Sequence, residues 1–215
     1  MAYDLYVITD EALSGGRSHA EIAREAIAGG ADVIQLRDKG SGLRALITAG
    51  KEIREITRKT HTLFIVNDRL DVALSCGADG VHLGQGDVRV DVARQIVPPG
   101  FIIGVSVGSV ADAVKAEQDG ADYLAVSPTF ATGSKTDAGP GLGLPVLRAV
   151  CSRVTMPVVA IGGITRANVG EVIAAGADGV AVISAVVAAP DIRTAARELK
   201  DLIAQAKERR STHDR

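Results

Sequence analysis

Eight short runs of β-branched and other apolar residues punctuate the chain, and each is followed by a longer stretch with apolar residues at helical spacing. The runs are Leu5–Thr9, Val33–Arg37, Leu63–Asn67, Gly80–Leu83, Ile102–Ser106, Tyr123–Ser127, Val158–Gly162 and Val180–Ser184. Ile22, Ala23, Ala26 and Ile27 illustrate the helical spacing, as do Val169, Val172, Ile173 and Ala177. Strands that alternate with helices form βαβ units and a parallel sheet, and near-continuous apolar strands are buried on both faces. Eight such units predict a single (β/α)8 TIM barrel. An open doubly wound sheet is the alternative, but no glycine-rich dinucleotide turn follows the first run. The barrel is expected over residues 1–208, ending in a charged amphipathic helix from about Asp191 to Lys207, with a polar tail over 209–215.

A repeat reinforces the count. Gly-Ala-Asp occurs at 30–32, 77–79, 120–122 and 176–178, each time just before an even-numbered run. Glycine past a helix end supplies the left-handed cap, and Asp suits the tight turn that follows. These turns belong on the N-terminal face of a barrel, so Asp32, Asp79, Asp122 and Asp178 read as structural.

Composition removes several function classes. With 24 basic and 26 acidic residues the formal net charge is −2, which gives no electrostatic footprint for nucleic acid or an anionic membrane. Aromatics are 3% of residues and Trp is absent, so base-stacking platforms are not expected. Cys76 and Cys151 form neither a disulfide framework nor a zinc knuckle and read as structural thiols. MAYDLYVITD has no basic signal-peptide region, and apolar stretches such as Val180–Ala189 are too short to span a bilayer. A cytoplasmic location is expected.

Barrel chemistry belongs at the C-terminal strand ends. There the chain carries Thr9-Asp10, Gln35-Leu36-Arg37-Asp38-Lys39, Asn67-Asp68-Arg69, His82-Leu83-Gly84-Gln85-Gly86-Asp87, Ser106, Ser127 to Lys135, Gly162-Gly163 and Ile183-Ser184. So many convergent polar groups favour an enzyme over a binding protein. Gln35, Arg37 and Lys39 share parity, and two cations with an amide suit a phosphate or diphosphate. Asp68 and Asp87 follow adjacent strands and suit Mg²⁺, which takes one or two carboxylates plus phosphate oxygens. Thr132, Gly133, Ser134 and Lys135 lie in a loop too long for an ordinary βα connection, with the makings of an anion-binding closure. Gly162-Gly163 and Ile183-Ser184 stand where such barrels bind phosphate through backbone N–H groups. His82 reads as a barrel-lining histidine or a general base; His19, His61 and His213 carry no signal.

Taken in order, these segments, with Tyr6-Val7-Ile8-Thr9-Asp10 and Ile161-Gly162-Gly163-Ile164, resemble the thiamine-phosphate synthase family over nearly the whole chain. The resemblance implies a transferase that joins hydroxymethylpyrimidine diphosphate to a thiazole phosphate or its carboxylated precursor. Gln35, Arg37 and Lys39 would then bind the diphosphate, Asn67 the aminopyrimidine, and Asp68 and Asp87 Mg²⁺. Ser106 and Lys135 would contact the leaving diphosphate or the pyrimidine. Thr132, Gly133, Ser134, Gly163, Ile183 and Ser184 would bind the thiazole phosphate. Arg37, Lys39, Ser106 and Lys135 are the catalytic candidates. The family often has Thr where Ser134 stands, which keeps the hydroxyl, and the Gly139–Gly143 stretch is richer in glycine than the family leads one to expect. The partners implied are small molecules, with a homo-oligomer left open. A thiazole tautomerase of the same superfamily, a non-catalytic phosphate-ligand sensor and a phosphosugar or tryptophan-pathway barrel are the rivals.

Overall fold

The computed structural model describes residues 3–133 and 140–213. Its eight parallel strands close in sequence order into one barrel. They are β1 (Leu5–Ile8), β2 (Val33–Leu36), β3 (Leu63–Asn67), β4 (Gly80–Leu83), β5 (Ile102–Val107), β6 (Tyr123–Val126), β7 (Val158–Ile161) and β8 (Gly179–Val182). The helices between them are α1 (His19–Ala28), α2 (Leu43–Thr57), α3 (Leu70–Cys76), α4 (Val90–Ile96), α5 (Val110–Gln118), α6 (Gly143–Arg153) and α7 (Val169–Ala174). After β8 come a single-turn helix, α8 (Ser184–Val187), and the long α9 (Ile192–His213). The eight-strand expectation holds, with ends displaced by a residue or two where chains splay toward their loops. The Thr9 N–H still bonds the Gln35 carbonyl at 2.9 Å beyond the end of β1. The stretch expected as a polar tail from 209 is helical through His213.

Strand alternation makes two cores. Leu5, Val7, Ile34, Phe64, Val81, Ile103 and Leu124 face outward into the layer shared with the helices. Tyr6, Ile8, Val33, Ile65, Ile102, Tyr123, Val159 and Ile183 fill the barrel itself. The second set shares its interior with buried Gln35 and His82, so the barrel is not wholly apolar.

The four Gly-Ala-Asp turns lie at the strands' N-terminal ends, as expected. Gly30, Gly77, Gly120 and Gly176 all have positive φ, between 68° and 109°, which a glycine adopts without a Cβ penalty. Each Asp then clasps the start of the preceding odd strand. The Oδ2 atoms of Asp32, Asp79, Asp122 and Asp178 accept from the N–H of Leu5, Phe64, Ile103 and Val158 at 2.7–2.9 Å. The backbone N–H of each Asp returns a bond to the carbonyl of the same residue. Arg54, Arg94 and Lys200 pair with three of the four, Asp79, Asp122 and Asp32. Strand-end donors and acceptors that would otherwise face water are thus satisfied, which accounts for the repeat without invoking chemistry. Cys76 and Cys151 are free thiols, and burial pushes the Cys151 thiol up to about 11. Among the described residues no helix is long and apolar enough to cross a membrane.

Candidate active site

The opposite end of the barrel gathers the sequence-predicted residues into two halves. One half follows β2 to β5. Gln35, inside β2, is 2% exposed, and its Nε2 donates to the Tyr6 hydroxyl at 2.6 Å. It therefore sits a layer below Arg37 rather than beside it. The Arg37 side chain, 10% exposed, lies 3.7 Å from the Asp10 carboxylate. Its Nε is buried with no hydrogen-bond partner among the described residues. Arg37 and Lys39 line one open groove with Asp10, Glu11 and Asp38. Between them Asp38 turns the chain: its Oδ1 accepts from the N–H groups of Gly40 and Ser41 at 2.8 and 3.0 Å. Burial pushes the Asp38 carboxyl up, but the Ser41 hydroxyl and these two N–H groups outweigh it and hold the group below its ordinary value.

The same groove contains His19, in which the sequence carries no functional signal. Its Nδ1 lies 2.8 Å from the Thr9 hydroxyl, and its Nε2, 3.6 Å from Asp38 Oδ2, has no hydrogen-bond partner among the described residues. The residue opens α1 behind the Ser18 cap, so its pattern is that of an ordinary first-turn residue. Only the fold brings it against β1 and the loop after β2.

Asn67 closes β3, and Asp68 follows it with φ 61°, the left-handed region. Among the described residues it is the only one other than glycine with positive φ. Backbone strain of this kind is kept where surrounding structure enforces it, often at functional sites. Here the Asp68 N–H bonds the His82 carbonyl at 2.8 Å. Asp87, after the neighbouring β4, has one oxygen fixed by the Gly84 N–H at 2.7 Å. Two carboxylates at adjacent strand ends are hard oxygen donors of the kind Mg²⁺ takes. Among the described residues no group of three or more His, Cys, Asp or Glu side chains could hold a metal unaided. An ion here would draw its other ligands from phosphate oxygens and water, as Mg²⁺ habitually does. The donor set fits. Ser106 lies at the end of β5; its carbonyl accepts from Gln85 at 2.6 Å and its hydroxyl is 2.9 Å from His82 Nε2.

The second half follows β6 to β8. A cavity is lined by Thr132, Gly163, Ile183 and Ser184, with Ser127, Pro128, Gly162 and Thr165. Gly133 stands beside Thr132 at the last described position before 140; Ser134 and Lys135 lie outside the described residues. The loop after β6 is stitched to β7: the N–H groups of Thr129 and Phe130 bond the carbonyls of Ile161 and Gly162 at 2.7 and 3.0 Å. Gly162 and Gly163 have φ 103° and 63°. A Cβ on Gly163 would meet the Ala131 carbonyl oxygen at 2.6 Å. These glycines are thus required by the crossing of two backbones. Beyond them the Asn168 side chain accepts from the Thr165 N–H and donates to the Gly163 carbonyl, fixing the turn. Ser184 opens α8, a short extra helix of the kind that shapes the phosphate site of many such barrels. Four residues are too few to show helical periodicity, so this helix has no signature in the sequence.

Residues 5–186 match the family described as thiamine monophosphate synthase. The chain is 67% identical over 208 residues to a thiamine-phosphate synthase of Methanoregula boonei, covering 97% of this chain and 96% of that protein. It is 52% identical over 205 residues to the thiamine-phosphate synthase of Moorella thermoacetica, covering 95% and 98%. The solved thiamine phosphate pyrophosphorylase of Pyrococcus furiosus superposes with a TM-score of 0.88 at 46% identity, over 95% of this chain and 96% of that one. With its closed barrel, two-halved mouth and full-length similarity to these proteins, the chain belongs to the thiamine monophosphate synthase family.

Proposed function

We propose that the two halves of the mouth hold two phosphorylated substrates and that the enzyme joins them as a thiamine-phosphate synthase. That activity is the one named for the family and its relatives. A pyrimidine methyl diphosphate would sit over β2–β5. A thiazole phosphate, carboxylated or not, would sit over β6–β8. The observation that carries this reading is the pairing of the Arg37–Lys39 groove with the Thr132–Gly163–Ser184 cavity at one barrel end.

The chemistry follows from charge. The bond between the pyrimidine methylene carbon and the diphosphate oxygen breaks, and its electron pair leaves with the diphosphate. The methylene carbon becomes cationic, and the thiazole nitrogen forms the new carbon–nitrogen bond. Thiamine monophosphate and diphosphate result, with CO₂ if the carboxylated substrate is used. Mg²⁺ held by Asp68 and Asp87 would supply positive charge to the leaving diphosphate. Arg37 and Lys39 add to it, and Lys135 would do so from the loop beyond the described residues. Asn67 would hold the aminopyrimidine. Gln35 suits the floor of that half rather than the diphosphate, because its amide nitrogen is already engaged by Tyr6. Ser106 would donate to the leaving group. Thr132, Gly133, Ser134, Gly163, Ile183 and Ser184 would surround the thiazole phosphate. No protein nucleophile is required; positioning and exclusion of water do the rest. A cytoplasmic setting suits substrates whose charged phosphates do not cross membranes.

The test is turnover with both synthetic substrates and Mg²⁺, read as thiamine phosphate formed. Asp68→Ala and Asp87→Ala should each lower kcat by roughly 10²-fold, while thiazole phosphate affinity stays within about twofold. A tautomerase would instead act on thiazole phosphate without diphosphate or Mg²⁺. Wild-type rates in both variants across a Mg²⁺ titration would remove the metal assignment.

A further inference from the structure

An unbroken line of polar atoms crosses the otherwise apolar barrel interior. Gln35 Nε2 on β2 donates to the Tyr6 hydroxyl on β1 at 2.6 Å. Tyr6 Oη lies 2.9 Å from Tyr123 Oη on β6. Tyr123 Oη lies 2.9 Å from His82 Nδ1 on β4. His82 Nε2 lies 2.9 Å from the Ser106 hydroxyl on β5. Tyr6 and Tyr123 are 1% and 0% exposed. Burying hydroxyls costs free energy unless each is bonded, so such a chain persists only if all its members are satisfied.

The donor inventory sets its direction. The Gln35 amide nitrogen can only donate. The Tyr6 hydroxyl accepts that bond, and the acceptor on hand for its proton is Tyr123. Tyr123 in turn sends its proton to His82 Nδ1. With Gln35 Nε2 facing Tyr6, any other order strands a buried hydroxyl proton without an acceptor. Burial pushes both phenols well above their ordinary value, so both remain protonated donors. His82 is then left with its proton on Nε2, which it donates to Ser106 Oγ. The Ser106 proton is then not used within the relay.

We propose that these five residues form a one-way hydrogen-bond relay that holds His82 as its Nε2–H tautomer and commits the Ser106 hydroxyl to donate into the mouth, toward the departing diphosphate. The assignment of the diphosphate to that half rests on the function proposed above; the direction of the relay does not. Tyr123 and His82 are accordingly positioning residues that act through Ser106.

Histidine ring ¹⁵N spectra of the full chain, with His82 assigned by loss of its signals in His82→Gln, read the tautomer in the resting protein. The expected result is the Nε2–H form. An Nδ1–H form means the chain runs backwards and overturns the proposal, whether or not turnover is observed. Tyr123→Phe removes one oxygen in the middle of the relay. It should leave a mixture of tautomers and lower kcat about tenfold, the scale of one lost hydrogen bond, with the KM for thiazole phosphate unchanged. Adding Tyr123→Phe to Ser106→Ala should cost nothing more, because the relay then has no terminal donor. Independent, multiplicative losses from the two changes would assign Tyr123 a merely structural role. Should Tyr123→Phe fold poorly, the wild-type tautomer still decides. If the tautomer is as expected but no thiamine phosphate forms, the relay stands and the function falls.

Discussion

Gly104 in the middle of β5 faces the Tyr123 ring inside the barrel. A Cβ there would overlap Tyr123 Cζ, Cε1 and Oη, where ordinary contact needs 3.4 Å or more. Gly104→Ala therefore forces the ring to retreat by roughly 1 Å or more. The ring cannot swing into solvent: Tyr123 is fully buried, with the Tyr3, His82 and Tyr6 rings at 5.0, 5.6 and 6.0 Å between centroids. Overpacking costs about 1–3 kcal/mol, and two weakened hydrogen bonds at Tyr123 Oη add about 2 kcal/mol. Against this, replacing a strand glycine recovers about 0.5–1 kcal/mol of backbone entropy. The balance is a loss of about 2–4 kcal/mol. For a domain of this size that lowers Tm by roughly 4–16 °C. Calorimetry checks it against Gly170→Ala, a change on α7 whose Cβ would meet nothing within 4 Å. That control should be neutral or slightly stabilising. Because the displaced hydroxyl is the middle of the relay, the kcat of Gly104→Ala should also fall about tenfold. A Tm equal to or above wild type would refute the packing, and an unchanged kcat would refute the coupling of that packing to the site.

Two further outcomes are expected. Lys135→Ala should lower kcat by roughly 10²-fold while leaving thiazole phosphate affinity nearly intact, as single-turnover rates and separate binding curves would show; loss of thiazole binding alone would mean that the two substrates have been placed in the wrong halves. On the opposite face Lys200 bonds Asp4 and Asp32, and Lys207 bonds Asp4, tying α9 to β1 and the loop before β2. Burial pushes the Asp4 carboxyl up, but Lys207 and Lys200 outweigh it and leave it below 3.8; burial pulls Lys200 down, but Asp32 and Asp4 outweigh it and leave it above 10.5. Asp4's stabilisation is therefore complete above 3.8 and lost as pH falls through its lowered value, and Lys200's is complete below 10.5 and lost as pH rises through its raised value. The Tm deficit of Lys200→Met should accordingly be largest between those limits and shrink outside them; a deficit independent of pH would mean that the lysine acts through its aliphatic stem.

The barrel is legible in the sequence because a strand buried on both faces reads as a continuous apolar run, and eight of them leave few alternatives. The repeat is legible because its glycines need positive φ. Other features are hidden for physical reasons. Tyr6 and Tyr123 occur in apolar runs and read as core. That is right for their rings and silent about their hydroxyls, whose partners are 29 and 117 residues away for Tyr6 alone. The shared parity of Gln35, Arg37 and Lys39 holds only while the chain is extended. The strand ends at Leu36, and Asp38 turns the backbone beyond it, so the three do not form one flat face. His19 is hidden by its helix pattern, and α8 by its length.

The difference between the two ends of the barrel is energetic rather than compositional. Both carry aspartates. At the N-terminal end each repeat Asp closes two backbone bonds to one residue, so that face uses its polar capacity on itself. At the C-terminal end, Asp68 is held in a left-handed backbone. The buried side-chain atoms without partners among the described residues, His19 Nε2 and Arg37 Nε, lie there too, in a single groove. A buried polar atom without a hydrogen-bond partner costs about 1–3 kcal/mol. Among the described residues these are the two buried side-chain atoms left open, and their shared groove holds that cost until a ligand with matching polar atoms enters. On the function proposed above that ligand is the diphosphate, whose oxygens would accept from Arg37 Nε and whose charge would offset the desolvation of the guanidinium. On the same proposed function, that binding energy would grow as negative charge develops on the diphosphate, so the groove would act on the leaving group more than on the resting substrate.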